Sequence, residues 1–317
     1  MKSLRVVLAG GSGFIGRGLS KRLRRLGYQP VVLTRSWERT EHGIRFVHWD
    51  GKAIGDWARE IDGACAVVNL TGKSVMCRHT RANKRRIVSS RVDSVRVIGE
   101  AIRAAEHPPL AWVQAGSLAI YGDAGERACD ESAPAGAGFS AETCIAWEQA
   151  FDETETPPGV ARVLLRMGLV LGEEGGPLQT LEHLVRLGFG GPIGTGRQSI
   201  SWLHAADLHR MVLWAIERGD LEGVYNACSL TPVTNAEFMS ELRRVLRRRL
   251  AVPTPSWLAH LGAPIIGREA ELALTGRRAV PARLRALRFP FQFPTLRGAL
   301  EDLYPDDSDE NGAEEAA

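Results

Sequence analysis

The chain lacks any apolar run long enough to span a bilayer. Its longest apolar stretches, such as VVLAGGSGFIG (6–16), fall well short of the ~20 residues that a transmembrane helix needs. Only Lys2 and Arg5 precede the first apolar strand and no small-residue cleavage site follows, so we read no signal or transit peptide. These absences predict a cytoplasmic protein with no membrane partner.

Cysteine is scarce and follows no pattern. The five cysteines are scattered and form no C-x-x-C pair, at Cys65, Cys77, Cys129, Cys144 and Cys228. An odd number of scattered cysteines is typical of reduced thiols in a cytosolic protein and offers no zinc-ligand spacing. The sequence therefore predicts neither a disulfide framework nor a bound metal.

Charge is unevenly distributed along the chain. The formal net charge is +3, but DDSDENGAEEAA (306–317) holds six acids and no base, so the remainder carries +9. The bases form runs such as RRVLRRR (243–249), in which Leu or Val recurs at helical spacing. Such runs can bind nucleic acid, but no nucleic-acid motif accompanies them and solvated helix faces are favoured. We predict no nucleic-acid partner and a disordered acidic tail over 305–317.

Short apolar runs alternate with helical segments in the first half of the chain. We predict strands at 4–10, 30–35, 44–49, 64–70, 110–116 and 160–172, and helices at 13–26, 80–105, 140–154, 205–219 and 234–250. This alternation is typical of a parallel, doubly wound sheet. We predict an α/β fold with a Rossmann-type domain over 1–250, which includes a glycine-rich cleft segment at 172–204. A smaller, mainly helical C-terminal region over 251–304 would complete the substrate site.

A glycine-rich turn follows the first strand. GSGFIG (11–16) reads G-x-G-x-x-G between a strand and a helical pattern, which is the setting in which this motif binds a dinucleotide. Its glycines let the backbone approach a pyrophosphate, and the helix N-terminus stabilises the phosphate charge. We predict cofactor contacts from Gly10, Gly11, Ser12, Gly13, Phe14, Ile15 and Gly16.

The end of the second strand favours one cofactor over another. An acid there would bind the 2′-hydroxyl of NAD, but this strand ends at Arg35, with Arg39 close behind. A guanidinium suits a 2′-phosphate, so NADP(H) is favoured over NAD(H), unless Arg35 points to solvent and does not discriminate. The strand at 64–70 ends in a small turn formed by Asn69, Leu70, Thr71 and Gly72. This turn is either a second cofactor contact or an ordinary strand end.

Several segments together resemble the extended short-chain dehydrogenase/reductase superfamily. GGSGFIG (10–16), NLTG (69–72) and GSLAIYG (116–122) carry the resemblance in the first half of the chain. GFGGPIGTGRQSISWLH (188–204) and the C-terminal block narrow it to an atypical NAD(P)-dependent "epimerase family" branch that ends in a domain of unknown function. The resemblance covers about residues 4–304. It implies a Rossmann fold, a nicotinamide cofactor and a small-molecule substrate.

Members of this superfamily work with a Ser or Thr, a Tyr and a Lys. The hydroxyl orients a substrate oxygen, and the Tyr is the general acid/base. The resemblance places Ser117 at the first position, although such a serine can equally cap backbone groups. It places Ser140 and Cys144 where the Tyr-x-x-x-Lys pair should stand, and no such pair occurs in the chain. The usual proton relay is therefore missing.

Three residues are candidates for the missing acid/base. Tyr121 either reaches the Ser117 pocket or packs at its turn. Cys144 either faces the nicotinamide or is a small buried hydrophobic residue. Glu142 is either a desolvated base or a surface acid in a first helical turn. Of these we name Tyr121 and Cys144, with Ser117, as the predicted catalytic residues.

The glycine-rich segment 188–204 should cover the cleft, since ligands bind outside the carboxyl ends of parallel strands. Arg197 is a candidate clamp for a phosphate or carboxylate, or else part of a structural salt bridge, and Gln198 stands beside it. His204 is either a core residue or a catalytic one, and the core role is favoured because the sequence shows no partner for it. We interpret Asp207 as the cap of the helix that it precedes.

These patterns predict an NADP(H)-dependent oxidoreductase or epimerase-like enzyme of the extended short-chain dehydrogenase type, acting on a small polar or nucleotide-linked substrate. The missing Tyr-x-x-x-Lys pair keeps a second hypothesis open, a non-catalytic NADP(H)-binding redox sensor or assembly factor. The long helices at 80–105 and 140–154 can also pack as the seam of a homodimer.

Overall fold

The structure, a computed structural model, describes residues 4–173, 175–258 and 274–305. Its strands are β1 (Arg5–Ala9), β2 (Gln29–Thr34), β3 (Arg39–Glu41), β4 (Ile44–His48), β5 (Ala66–Asn69), β6 (Ala111–Ser117), β7 (Ala128–Cys129), β8 (Ala161–Met167), β9 (Leu169–Leu171), β10 (Ser199–Ile200), β11 (Trp202–His204), β12 (Gly223–Ala227), β13 (Val233–Thr234) and β14 (Arg278–Ala279). Its α-helices are α1 (Phe14–Arg25), α2 (Arg81–Ala104), α3 (Phe139–Asp152), α4 (Pro177–Arg186), α5 (Ala205–Arg218), α6 (Asn235–Val245), α7 (Ala282–Ala286) and α8 (Leu296–Leu303).

One eight-stranded sheet has the order β12-β8-β6-β5-β1-β2-β4-β3. All neighbours pair in parallel except β3, an edge strand that the sequence did not predict and that runs antiparallel to β4. From β1 the chain builds the sheet first towards β2 and β4 and then towards β5 and β6. The order therefore reverses at β1, where such sheets bind ligands outside the carboxyl ends of their strands. The predicted Rossmann-type doubly wound α/β fold is confirmed.

The apolar runs become the inner strands because helices cover both faces of the sheet. Val6, Val7 and Leu8 of β1 are fully buried, as continuous β-branched and leucine runs of a parallel sheet should be. On one face, α2 and α3 pack together, and Trp112 of β6 meets Phe151 of α3 edge to face with ring centroids 4.7 Å apart. Helices α1 and α5 pack on the other face.

Two predicted elements end earlier than the sequence pattern indicated. The strand predicted at 160–172 breaks at Gly168, where a side chain would collide with the carbonyl oxygen of Ser201. The chain then leaves the main sheet, and β9 pairs with β11. The helix predicted at 234–250 ends at Val245, and Arg247 adopts a left-handed φ of 53°, which closes the turn.

The described part of the C-terminal region is attached to the larger unit at two places. Strand β14 pairs in parallel with β7, and α8 packs on α6, where Leu300 and Phe238 are buried in one cluster. The domain boundary at 250/251 stays a prediction. The predicted acidic tail lies outside the described residues, apart from Pro305. Within the described ranges, no helix is both long and apolar enough to cross a membrane.

Candidate functional site

The glycine-rich loop between β1 and α1 has the geometry of an anion site. Gly10 has a φ of +73°, which favours glycine, and a Cβ on Gly16 would lie only 2.6 Å from the carbonyl oxygen of Gly11. Helix α1 begins after Gly13 with no side-chain cap and no acid in its first turn. Ser12 and Gly13 are exposed. The uncapped N–H groups and the positive end of the helix dipole are therefore available to a phosphate.

The turn after β5 lies directly against this loop. A Cβ on Gly10 would be 2.9 Å from the carbonyl carbon of Leu70 and 3.0 Å from Cα of Thr71. The N–H of Leu70 also donates to the carbonyl of Ala9 at 2.8 Å. The structure thus brings together the two segments in which the sequence analysis placed cofactor contacts. They meet where the strand order reverses.

Buried polar groups hold the turn after β5 in shape. Asn69 is fully buried, and its amide donates to Ser94 Oγ at 3.2 Å and to Gln114 Oε1 at 3.0 Å. Its Oδ1 accepts the N–H of Thr71 at 3.0 Å. The Asn69 side chain therefore positions the turn from within, and Thr71 and Gly72 are the part nearer to solvent.

Arg91 of α2 was missed by the sequence analysis and lies beneath this turn. Its Nη1 donates to the carbonyls of Lys73 at 3.0 Å and Ile87 at 2.9 Å. Its Cζ would be 3.0 Å from a Cβ on Gly72 and is 5.0 Å from the ring centre of Trp147 on α3. In the sequence Arg91 is one of several bases on an amphipathic helix, and that pattern does not reveal which base faces inward.

The first part of the predicted cleft segment covers the phosphate loop, which is the glycine-rich loop between β1 and α1 (residues 10–13). The Phe14 ring fills the space beside Gly172 and Gly176, where added Cβ atoms would lie 2.9 Å and 2.7 Å from ring carbons. The backbone carbonyl of Ile15 is 3.2 Å from His209 Nε2, which ties α1 to α5. Phe14 and Ile15 thus anchor the start of α1 on both sides.

Arg35 and Arg39, the two arginines near the end of β2, have different surroundings. Arg35 follows β2 directly and is exposed, and none of the described acids pairs with it. Arg39 is engaged, because its Nε donates to Glu41 at 3.2 Å and its guanidinium lies 3.9 Å from the ring centre of Phe46. Of the two, Arg35 is the one available to a ligand.

Ser117 ends β6, and its partly buried side chain takes part in a local cap. Its Oγ accepts the N–H of Ala119 at 3.2 Å, which opens the 3₁₀ turn Leu118–Tyr121. This is the capping role that the sequence analysis gave as the alternative. The cap uses a lone pair of the oxygen, so the hydroxyl proton remains available for donation to a ligand oxygen.

Tyr121 belongs to a buried network. The side chain is 1% exposed, and its hydroxyl accepts from Arg166 Nη1 at 2.9 Å. The same hydroxyl is 2.7 Å from Asn226 Oδ1 and 2.8 Å from the carbonyl of Asp130, and Arg166 pairs with Glu148 at 2.7 Å. Burial raises the pKa of Tyr121 above its ordinary value. This geometry favours packing at the turn and does not support Tyr121 as an acid/base.

Cys144 and Glu142, two residues apart on α3, also lack the features of a general base. The Cys144 side chain is 5% exposed, and burial raises its pKa to about 11, although Arg91 and Arg277 act in the opposite direction. The thiol is therefore neutral near pH 7, and the Cys144 side chain packs as a small buried hydrophobic residue. Glu142 is exposed in the first turn of α3, where an acid favours the helix dipole.

The predicted substrate residues lie on a loop that faces solvent. Arg197 is exposed, and no carboxylate of the described residues forms an ion pair with it, so the alternative of a structural salt bridge is not seen. Gln198 Nε2 donates to the carbonyl of Ile193 at 2.8 Å. Gly276 packs against Cα of Gln198, and Arg277 Nε donates to the carbonyl of Gly122 at 3.2 Å. This loop is thereby linked to the turn that follows Ser117.

The start of α5 corrects one prediction. The helix is capped by His204, whose Nδ1 accepts the N–H of Ala206 at 3.2 Å. Asp207 is fully buried, and its carboxylate accepts the N–H groups of Gln292 at 2.7 Å and Phe293 at 2.9 Å. The prediction that Asp207 caps this helix is therefore wrong. It holds the C-terminal segment against the larger unit instead.

Comparison with known proteins matches both parts of the chain. Residues 6–228 match the model of the NAD dependent epimerase/dehydratase family, and residues 254–303 match a domain of unknown function (DUF1731). Epimerase family protein SDR39U1 of Mus musculus is 31% identical over 95% of this chain and 99% of its own length. Epimerase family protein YfhF of Bacillus subtilis is 31% identical over 96% and 99%.

Solved structures share the fold. A crystal structure of human epimerase family protein SDR39U1 with NADPH superposes with a TM-score of 0.84 at 30% identity, over 95% of this chain and 99% of that one. A UDP-N-acetylglucosamine 4-epimerase from Bacillus cereus has a TM-score of 0.75 at 16% identity, over 95% and 96%, which shows the fold alone. From these matches and the geometry of its loops, the chain belongs to the NAD dependent epimerase/dehydratase family of NAD(P)-binding Rossmann proteins.

Proposed function

We propose that this protein is an NADP(H)-dependent oxidoreductase or epimerase-like enzyme acting on a small polar or nucleotide-linked substrate. The observation that carries the proposal is the contact between the phosphate loop and the turn after β5, with Gly10 against Leu70 and Thr71. Two loops that meet at the reversal point of a parallel sheet form the crevice in which such folds bind dinucleotides.

The residues of this crevice fit NADP(H). The uncapped start of α1 suits the pyrophosphate, and exposed Arg35 at the end of β2 suits a 2′-phosphate. A carboxylate in the place of Arg35 would repel that phosphate. The structure of human SDR39U1 with NADPH supports the same assignment. When bound, the nicotinamide supplies a hydride donor or acceptor to the substrate carbon.

Ser117 is the residue we propose to orient the substrate. Its Oγ is held by the N–H of Ala119, which leaves the hydroxyl proton to be donated to a carbonyl or hydroxyl oxygen of the substrate. A donor in place before the reaction stabilises charge that develops on that oxygen. The exposed Arg197 and neighbouring Gln198 are proposed to bind the polar part of the substrate.

One observation favours the second hypothesis, a non-catalytic NADP(H)-binding sensor or assembly factor. Tyr121 is engaged in a buried network, and the Cys144 thiol has a pKa of about 11. Neither predicted proton carrier therefore titrates near neutral pH. An enzyme of this kind would need its proton from water or from the substrate itself.

The test is turnover by purified protein supplied with NADPH or NADP⁺. With small carbonyl compounds, turnover is measured as the loss of NADPH absorbance. With nucleotide sugars, the products are separated by chromatography, because an epimerase returns the hydride without net oxidation. We expect Ser117→Ala to lower turnover about 100-fold and Ser117→Thr, which keeps a hydroxyl, to retain most of it. No turnover of any substrate, with NADPH tightly bound, would favour the non-catalytic function.

A further inference from the structure

Arg91 carries a charge that the described part of the fold does not neutralise. Its guanidinium is partly buried between the turn after β5 and the ring of Trp147. Its hydrogen-bond partners are the carbonyls of Lys73 and Ile87, and no carboxylate among the described residues pairs with it. Burial lowers the pKa of Arg91, but a guanidinium remains charged at neutral pH. Partial removal of an unpaired charge from water is costly, and the Nε and Nη2 atoms of Arg91 are not among the fully buried polar atoms without a partner, so a ligand can reach them.

The unused donors of Arg91 lie on one edge of its guanidinium. Of its five N–H groups, the two on Nη1 serve the carbonyls of Lys73 and Ile87. The three on Nε and Nη2 have no acceptor in the described ranges. In this protein Arg166 uses that same edge to hold Glu148, with Nε to Oε1 at 2.9 Å and Nη2 to Oε2 at 2.7 Å. The open edge of Arg91 therefore has the shape that binds a carboxylate or phosphate with two parallel hydrogen bonds.

The position of Arg91 connects it to the ligand crevice. Its Nη2 would lie 3.2 Å from a Cβ on Gly72, the last residue of the turn that packs on the phosphate loop. The turn is fixed there, since the N–H of Lys73 donates to Ser90 Oγ at 2.9 Å. The space beside Gly72 is thus occupied by a guanidinium, and any larger residue there would displace it.

A second arginine, Arg277 of the C-terminal region, lies beside the turn that follows Ser117, where its Nε donates to the carbonyl of Gly122 at 3.2 Å. Both Arg91 and Arg277 are close enough to the Cys144 thiol to act on its ionisation, and no described acid other than Glu148 opposes them there. Glu148 is already held by Arg166. Arg91 and Arg277 therefore both favour negative charge at Cys144.

We propose that Arg91 is an anion-binding residue of the cleft, which holds an oxyanion of carboxylate or phosphate type through its Nε–Nη2 edge. This inference rests on the proposed function for the position of the cofactor. The oxyanion belongs either to the cofactor or to a second, anionic ligand bound beside it. The alternative is a structural role, in which Arg91 only anchors the turn through Nη1.

Two variants change the guanidinium of Arg91 in different ways. Arg91→Met keeps the length of the side chain and removes the charge. Arg91→Lys keeps the charge but loses the Nε–Nη2 edge, which makes two parallel hydrogen bonds. Arg96→Met, which removes an exposed base from the same helix, is the matched control. Each full-length variant is titrated with NADPH by calorimetry. The NADPH-saturated protein is then titrated with inorganic phosphate and with malonate. The same titrations are followed by tryptophan fluorescence, because Arg91 lies over the ring of Trp147, and Trp147→Phe identifies the part of the signal that comes from that residue.

We expect Arg91→Met to weaken at least one of these titrations about 10- to 100-fold, Arg91→Lys by less, and Arg96→Met by less than about 2-fold. A loss confined to NADPH, with a weaker dependence of NADPH affinity on salt concentration than in the wild type, assigns the oxyanion to the cofactor, because loss of the Nη1 anchor alone removes no ion pair. A loss confined to phosphate or malonate assigns it to a second ligand. Unchanged binding of all three ligands in Arg91→Met overturns the proposal. If that variant does not fold, Arg91→Lys decides by the same criteria. If the wild type binds no NADPH, the proposed function fails, and the phosphate titration of the protein alone still tests Arg91.

Discussion

Substitution of Gly16 by alanine should damage both the fold and the cofactor site. Gly16 is the third residue of α1 and packs against the turn that precedes the helix. An added Cβ would lie 2.6 Å from the carbonyl oxygen and 2.7 Å from the carbonyl carbon of Gly11. These are backbone atoms, so no side-chain rotation relieves the overlap. The start of α1 has to move away from the loop instead.

The size of the effect follows from two opposing contributions. Carbon atoms in contact are about 3.5–4.0 Å apart, so the helix must shift by about 1 Å. Alanine in a helix gains roughly 0.5–1 kcal/mol over glycine, whereas overpacking costs roughly 1–3 kcal/mol. The cost of the overlap exceeds the gain in helix propensity, so we expect the free energy of unfolding to fall by about 1–2 kcal/mol. A helix start displaced by that distance loses hydrogen bonds to the phosphates, and NADPH affinity should fall about 10- to 100-fold.

Urea unfolding and calorimetric titration with NADPH measure the two effects separately. Gly13→Ala is the matched control for stability, because Gly13 has a φ of −77° and the nearest atom to its added Cβ is 3.4 Å away. It should change the free energy of unfolding by less than about 1 kcal/mol. If Gly16→Ala were as stable as the wild type and bound NADPH equally tightly, the tight packing of the loop on α1 would not matter, and this reasoning would be refuted.

Three further predictions concern single side chains. Arg35→Ala should weaken NADPH binding about 10- to 100-fold and leave NADH binding unchanged by calorimetry, because only the 2′-phosphate is affected. Glu148→Gln should lower the free energy of urea unfolding by about 3–5 kcal/mol, because it leaves buried Arg166 without its counter-charge. Burial lowers the pKa of His209 to about 4, so the unfolded chain binds its proton more strongly and acid favours unfolding. The stability difference between the wild type and His209→Gln should be constant above pH 6.5 and shift by up to about 1.4 kcal/mol per pH unit, against the wild type, as the pH falls towards 4.

Each of these predictions has a result that contradicts it. Equal losses of NADPH and NADH affinity in Arg35→Ala would mean that the residue does not distinguish the 2′-phosphate of NADPH from the 2′-hydroxyl of NADH. A stability loss below about 1 kcal/mol in Glu148→Gln would place the pair in effectively aqueous surroundings. For His209, a stability difference that does not change between pH 6.5 and 4 would mean that the ring is protonated in the folded protein as readily as in the unfolded chain.

Features set by neighbouring residues were predictable from the sequence. The G-x-G-x-x-G turn, the alternation of strands with helices and the Arg35 position all depend on local patterns, and the structure places them as expected. The superfamily resemblance added the serine at the end of β6. The same local reasoning showed that Tyr-x-x-x-Lys is absent, which the sequence alone is enough to establish.

Features set by contacts between distant residues were not predictable. Asp207 resembles a helix cap locally, but its partners are Gln292 and Phe293, more than eighty residues away. Tyr121 is fixed by Asn226, 105 residues further on. Arg91 is one base among many on α2, and only the packing of α2 against the turn after β5 distinguishes it. A single sequence contains no signal for these pairings.

The most direct test of the account is calorimetric titration of the cofactor-stripped wild-type protein with NADPH and then with NADH. The account predicts one site per chain with clearly tighter binding of NADPH. Equal affinities would contradict the role of Arg35. No binding of either cofactor would contradict the central claim, that the loop after β1 and the turn after β5 form a dinucleotide site.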